Sequence, residues 1–156
     1  MQAIGNIADF FWKLRTRMRF GSLSRAPLEL LRFELRAASA ECEWIARASD
    51  PWDLDLVAEV GERNAALQAL LDAIALRQIL FSAIPEIREA KFRVYRKRNS
   101  DTRELIIIGL FSREDEAPPR ISSLVMRAKL YGLHFSIQDG MLEPLQLQMR
   151  DLEFAT

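Results

Sequence analysis

Residues 62–84, ERNAALQALLDAIALRQILFSAI, decide how the rest of the chain is read. Leu67, Leu70, Leu71, Ile74 and Phe81 recur at three- and four-residue steps, so they fall on one stripe of an α-helix, about 100° wide. Ala65, Ala66, Ala69, Ala73, Ala75 and Ala83 add strong helix formers. Pro85 ends the run, because the residue before a proline avoids the α region. A second apolar set, Leu76, Ile79, Leu80 and Ala83, projects from the opposite side. Gln68, Asp72, Gln78 and Ser82 leave only a narrow polar arc. A helix apolar nearly all round is covered from more than one side. A sheet can take one side, and the alanine-rich side admits another helix, from this chain or from a second subunit. Asp72 and Arg77 interrupt the run, which argues against a membrane span.

The length of 156 residues suits one domain, or one domain with an added arm. A hydrophobic share of 49% with 28% charged side chains places the chain among soluble globular proteins. Cys42 is the only cysteine, so no intrachain disulfide can form. The 18 arginines against 4 lysines carry the bias of a GC-rich bacterial genome, and a cytoplasmic location is expected. Net charge is zero. Within residues 1–25, however, Lys13, Arg15, Arg17, Arg19 and Arg25 stand against Asp9, a local charge of +4 that leaves −4 on the remainder. Such asymmetry suggests an interaction arm.

Residues 3–19 read as an amphipathic helix, with Ile4, Ile7, Phe11, Leu14 and Met18 at a/d-like spacing. Its arginines cluster at the C-terminal end, where cations complement the helix dipole. Gly21 is a natural stop. Residues 1–21 are thus expected as a basic helical arm, and residues 27–152 as a single α+β domain. The arm could dock on its own domain or on a sister subunit. Phe10, Phe11 and Trp12 beside arginines would also suit a membrane surface, and an arginine-rich, acid-poor start is the composition of a transit peptide.

Period-2 alternation marks the strands. Residues 30–36 place Leu31, Phe33 and Leu35 against Arg32, Glu34 and Arg36, and residues 41–47 place Cys42 and Trp44 against Glu41, Glu43 and Ile45. Together they read as a hairpin turning through Ala37 to Ala40. Residues 49–62 read as a loop with a turn at Asp50-Pro51 and Trp52 pinned to the core. Asp50, Asp53 and Asp55 lack the glycine and terminal glutamate of a calcium loop. A second hairpin follows over residues 91–115, with Phe92 and Val94 alternating with Arg93 and Tyr95, and a wholly apolar return strand, Leu105 to Phe111, that belongs inside a sheet. Gly109 in that strand marks a bulge or a close approach. A helix is expected over 119–132, a strand over 133–138, a turn at Asp139-Gly140, and a last strand with a short tail from Met141.

The order is an N-terminal amphipathic helix followed by ββα-ββα-β. It implies a mainly antiparallel α+β sheet with the helices on one face. Catalytic patterns are missing: there is no GxGxxG, P-loop or nucleophile elbow. His134, the one histidine, has no nearby ligand partner, and Cys42 could meet it only across the fold. No cofactor or metal is expected. The reading is therefore a non-enzymatic interaction or assembly module, a homo-oligomer or a subunit of a larger complex, using Ile4, Ile7, Phe11, Leu14 and Met18 of the first helix with Leu76, Ile79 and Leu80 of the second face. Two alternatives stand beside it. Arg93, Tyr95, Lys97 and Arg98 could form an anion or nucleic-acid surface on the basic hairpin 88–103, against the simpler reading that the charges guard the sheet edges. A small-molecule site could lie between helices and sheet near Trp44, Trp52, Phe81 and Tyr131.

Overall fold

The computed structural model describes residues 2–49, 58–99, 101–115 and 122–145. Three helices, α1 (Gln2–Arg17), α2 (Ala58–Ala83) and α3 (Leu124–Tyr131), accompany seven strands. These are β1 (Glu29–Arg36), β2 (Ser39–Ile45), β3 (Glu89–Lys97), β4 (Arg103–Ser112), β5 (Leu133–His134), β6 (Ile137–Gln138) and β7 (Met141–Leu142). The fold is α+β, with a mostly antiparallel five-stranded sheet in the order β1-β2-β3-β4-β5 and the helices laid on one face.

The two hairpins β1–β2 and β3–β4 are antiparallel, and they join along β2 and β3, which run parallel with Cys42 opposite Phe92 and Trp44 opposite Val94. Parallel neighbours need a crossover, and α2 supplies it. Alternation along the strands then decides the faces. Ala40, Cys42, Trp44, Ala90, Phe92, Val94, Ile107 and Phe111 turn under the helices and are buried. Phe92 sits at the centre of this layer, edge-on to Trp44 at 5.0 Å and to Phe111 at 4.7 Å. Arg32, Glu34, Glu41, Glu43, Lys91, Arg93 and Tyr95 take the other face and are only partly covered. Gly109 marks a close approach: a Cβ there would come within 2.8 Å of the Phe111 ring.

α2 is sheathed almost all round, as its two apolar faces require. Leu70, Ala73, Leu76 and Leu80 are fully buried, and Ile79 is nearly so. The cover comes from this chain. Below lies the sheet; α1 packs along one flank and α3 along the other. In α1, Phe10 is completely buried and stacks on Phe33 of β1 at 5.1 Å, with Phe11 edge-on to the same ring at 5.4 Å. The described part of the expected arm is therefore a layer of the domain.

Several boundaries differ from the sequence reading, each for a local reason. α2 begins at Ala58, so residues 58–61, read as loop, extend the helix by a turn. α3 begins at Leu124 because Ser123 caps it, its hydroxyl accepting from the Met126 amide at 3.3 Å. The expected strand 133–138 splits in two. β5 pairs with β4 only at Ile108 and Gly109, and β6 leaves to pair with β7 in a separate hairpin. Gly21 is not a left-handed helix cap. A Cβ there would overlap the Gln68 amide, so the glycine is a close approach between the α1–β1 loop and α2. Residues 50–57 and the helix start expected at Pro119 lie outside the described residues.

Candidate functional site

α2 has two unlike ends, and the difference begins in its side chains. Leucines and alanines occur in both halves, but toward the N-terminus the residues on the side of the gap are Ala65 and Ala66, whereas toward the C-terminus Leu76, Ile79, Leu80 and Phe81 are buried. Methyl groups fill less of the space between a helix and a sheet than isobutyl groups do. Where the alanines face β2 and β4, a cleft of about 810 Å³ remains. It lies at the carboxyl ends of the two parallel strands, bordered by Ile45 to Ser49 after β2, Arg96 to Arg98 at the end of β3, and Glu104 and Ile106 of β4. Ile45, Ala66, Ile106 and Leu142 give it a buried apolar floor.

The β6–β7 hairpin closes one side. Its turn has Asp139 at φ 55° and Gly140 at φ 80°, the two positive values that a tight two-residue hairpin demands. Three bonds hold it in place. The Arg63 Nε of α2 donates to the Asp139 carbonyl at 3.0 Å, the Arg96 Nη1 of β3 donates to the Leu142 carbonyl at 2.8 Å, and the Leu145 amide donates to the Leu105 carbonyl at 2.8 Å. The hairpin thus spans from helix to sheet across the opening.

Charge at the mouth is balanced. Arg96 Nε donates to Glu104 Oε1 at 2.8 Å, Arg98 stands 3.7 Å from the other Glu104 oxygen, and Lys97 lies 3.5 Å from Glu29. Behind the cleft wall sits a buried polar cluster. Arg47, which leaves β2, bonds Asp72 of α2 at 2.8 Å and donates to the carbonyls of Met18, Arg19 and Ala26. Gln68 donates to the other Asp72 oxygen at 2.9 Å and accepts from the Leu23 amide at 2.6 Å. Burial pushes the Asp72 carboxyl above the ordinary aspartate range, while the Arg47 guanidinium and the Gln68 amide pull it down. The cluster fixes the 18–26 loop, and with it Ala26 and Pro27 on the cleft rim.

The other end of α2 is packed with two arginines. Arg113 spreads its three nitrogens over the carbonyls of Phe81, Ile84 and Ile87, at 3.0, 3.0 and 2.8 Å. These include carbonyls that the helix end leaves without intrahelical partners. The same guanidinium lies 4.8 Å from the Phe81 ring. Arg77 fills the space beside it, 4.7 Å from the Tyr131 ring and 5.0 Å from Phe81, and bonds the Ser112 and Asp115 carbonyls.

The residues singled out in the sequence are distributed as follows. Leu76, Ile79, Leu80 and Met18 are buried within the chain, and Ile7, Phe11 and Leu14 pack half-buried against the same core; the Ile4 side chain lies outside the described residues. Of the small-molecule site expected near Trp44, Trp52, Phe81 and Tyr131, Trp44 and Phe81 are buried and Arg77 lies against the Phe81 and Tyr131 rings, while Trp52 is outside the described residues. Of the hairpin surface, Tyr95 donates its hydroxyl to Glu43 at 3.1 Å and carries the Arg103 guanidinium 4.6 Å from its ring, while Lys97 and Arg98 face Glu29 and Glu104. Arg93 shares the outward face with Tyr95. Burial pushes the Tyr95 phenol above its ordinary range, and Glu43 pushes it the same way.

Cys42 and His134 do not meet. One is buried on β2 and the other exposed on β5, three strands away, or about 14 Å at the usual strand spacing. Burial also pushes the Cys42 thiol far up, out of nucleophilic range at neutral pH. The cleft was missed in the sequence because Ala65 and Ala66 read as a surface for a neighbouring helix. No protein-family model, curated protein or solved structure matches the chain, so its functional reading rests on the geometry of the cleft.

Proposed function

We propose that this domain binds a small organic molecule in the cleft between the first turns of α2, the carboxyl ends of β2 and β3, and the β6–β7 hairpin. The observation that carries the proposal is the cleft itself. Its volume of about 810 Å³ falls within the roughly 300–1,000 Å³ of small-molecule sites, and it pairs an apolar floor with a few fixed polar groups. The carboxyl ends of parallel strands flanking a crossover helix are also where open sheets commonly take ligands. Because Arg96 and Arg98 share Glu104, Lys97 faces Glu29, and Glu62, Asp139 and Glu143 also border the cleft, it suits a largely apolar, neutral or zwitterionic molecule better than a polyanion. A polyanion would have to break those pairs and leave carboxylates facing it.

A thermal-shift screen of small-molecule libraries, run in parallel on the native chain and on Ala65→Phe, tests this reading. Ala65 is half-buried on the cleft wall, and a phenyl ring there occupies the cleft without touching the far end of α2. Compounds should raise the midpoint of the native chain and lose that effect on the variant. A silent screen, or hits that stabilise both proteins equally, would remove the cleft from consideration.

Assembly with a protein partner, expected from the second face of α2, finds no exposed side chain on that face. Nucleic-acid binding through the hairpin would require Lys97 and Arg98 to exchange Glu29 and Glu104 for phosphates.

A further inference from the structure

We infer that the outward stripe of α1, with the turn that follows it, is a docking surface for an anionic lipid bilayer. The inward stripe is already used: Phe10 and Met18 are buried, and Ile7, Phe11 and Leu14 pack on the core. The opposite stripe, Ala8, Trp12, Arg15 and Thr16, is exposed, as are Arg17 at the helix end and Arg19 in the turn after it. Trp12 at 62% and Phe20 at 60% exceed Met126 at 50%, Leu130 at 45% and Leu110 at 36%, the other exposed large apolar side chains described. They stand on a basic segment, residues 1–25, with a net charge of +4 and a single acid. Among the described residues, no carboxylate forms an ion pair with Arg15, Arg17 or Arg19, whereas Asp9, the one acid in the first 25 residues, is matched by Lys13 at 3.0 Å.

The chemistry of this surface favours a bilayer over a protein or an RNA. A single convex helix offers no groove for a peptide and no row of platforms for successive bases. Indole and phenyl rings among arginines are the composition that settles at the headgroup level, the rings in the acyl boundary and the guanidinium groups at the phosphates. Arg19 lies 5.2 Å from the Phe20 ring, so the two would enter together. Residues 88–103 carry a second basic excess, seven Lys/Arg against two acids, but there Arg96, Lys97 and Arg98 already face Glu104 and Glu29, so the arginines around α1 are the ones that would orient the molecule with α1 against the lipid.

Co-sedimentation of the full chain with vesicles tests the proposal, using phosphatidylcholine alone and phosphatidylcholine mixed with phosphatidylglycerol. The chain should pellet with the anionic vesicles only, and added salt should weaken the association. Each arginine near such a surface is worth about fivefold in partitioning, so Arg15→Glu with Arg17→Glu and Arg19→Glu should reduce it at least ~100-fold. Trp12→Ser with Phe20→Ser should lower it several-fold. All five side chains are exposed, so unchanged thermal midpoints will separate lost docking from lost fold. Absent pelleting with anionic vesicles, pelleting that both variants retain, or retention of an RNA but not of vesicles by this surface would overturn the assignment.

Discussion

The two ends of α2 solve the same problem in opposite ways. At the C-terminal end, carbonyls that the helix leaves unpaired and the gap beside them are closed by two arginines, Arg113 on the backbone and Arg77 among Phe81, Phe111 and Tyr131. Toward the other end, small side chains leave a cleft, and polar groups are used around it to fix its walls: Arg47 and Asp72 behind, Arg63 and Arg96 on the hairpin. Arginine is suited to both tasks because its planar fork carries five donors and can bond several carbonyls while stacking on rings. The difference teaches where to look for function. A chain that plugs one end of its central helix so thoroughly could have plugged the other with larger residues, and does not.

Substitutions can break this contrast. The largest effect is expected at the wall cluster. Asp72→Ala strands the buried Arg47 without its counter-charge and should cost about 3–5 kcal/mol, read from the urea midpoint. Adding Arg47→Met to that variant should recover most of the loss, since a buried pair exchanged for apolar packing is often neutral. If the double variant is no better than the single one, the bonds from Arg47 to the 18–26 loop matter more than the charge. Next comes Arg113→Ala at the sealed end. It removes the Arg113 donor from the carbonyls of Phe81, Ile84 and Ile87, of which Ile84 keeps the Ile87 amide, and should cost about 2–3 kcal/mol, with Arg113→Lys recovering only part because one ammonium cannot span all three.

The smallest effect sharpens the comparison most. Ala73 is completely buried in the middle of α2, and Ala73→Phe should overpack the core by about 1–3 kcal/mol or more. Ala65→Phe makes the same chemical change on the same helix, but into open space, and should shift stability by no more than ~0.5 kcal/mol. Equal costs at the two positions would mean that the cleft is not open in solution.

Much of this architecture was legible in the residues. The three- and four-residue recurrence of Leu67 to Phe81 fixed α2, and alternation placed Cys42, Trp44, Phe92 and Val94 on one buried face, because periodicity is a local property that folding rarely overrides at this strength. The stripe of α1 was equally plain, but a stripe does not say what covers it. That the answer is Phe33 of the same chain depends on where β1 lies, which alternation along β1 cannot fix. The parallel meeting of β2 and β3 was hidden for the same reason: it is set by packing beneath α2. The unbroken alternation of 133–138 suggested one strand, yet only its first two residues find a partner on β4.

The site was less legible than the fold. Gln68 and Asp72, one turn apart, read as part of a narrow polar arc, and only the depth of Arg47 turns them into an internal cluster. Ala65 and Ala66 are good helix formers whichever neighbour they face. A void is the absence of a neighbour, and no residue in the sequence encodes an absence directly. Asp139-Gly140 gave the turn of the closing hairpin, but not that Arg63 and Arg96 would tether it across an opening.

The most direct test of the central claim is an amide chemical-shift map of the isotopically labelled chain, recorded while titrating any compound that raises its thermal midpoint. Perturbations should cluster at Ala46, Ala65, Ala66, Ile106 and Leu142, around the cleft. Perturbations centred on Phe81, Arg113 and Tyr131 would place the ligand at the end described as sealed, and would contradict the account.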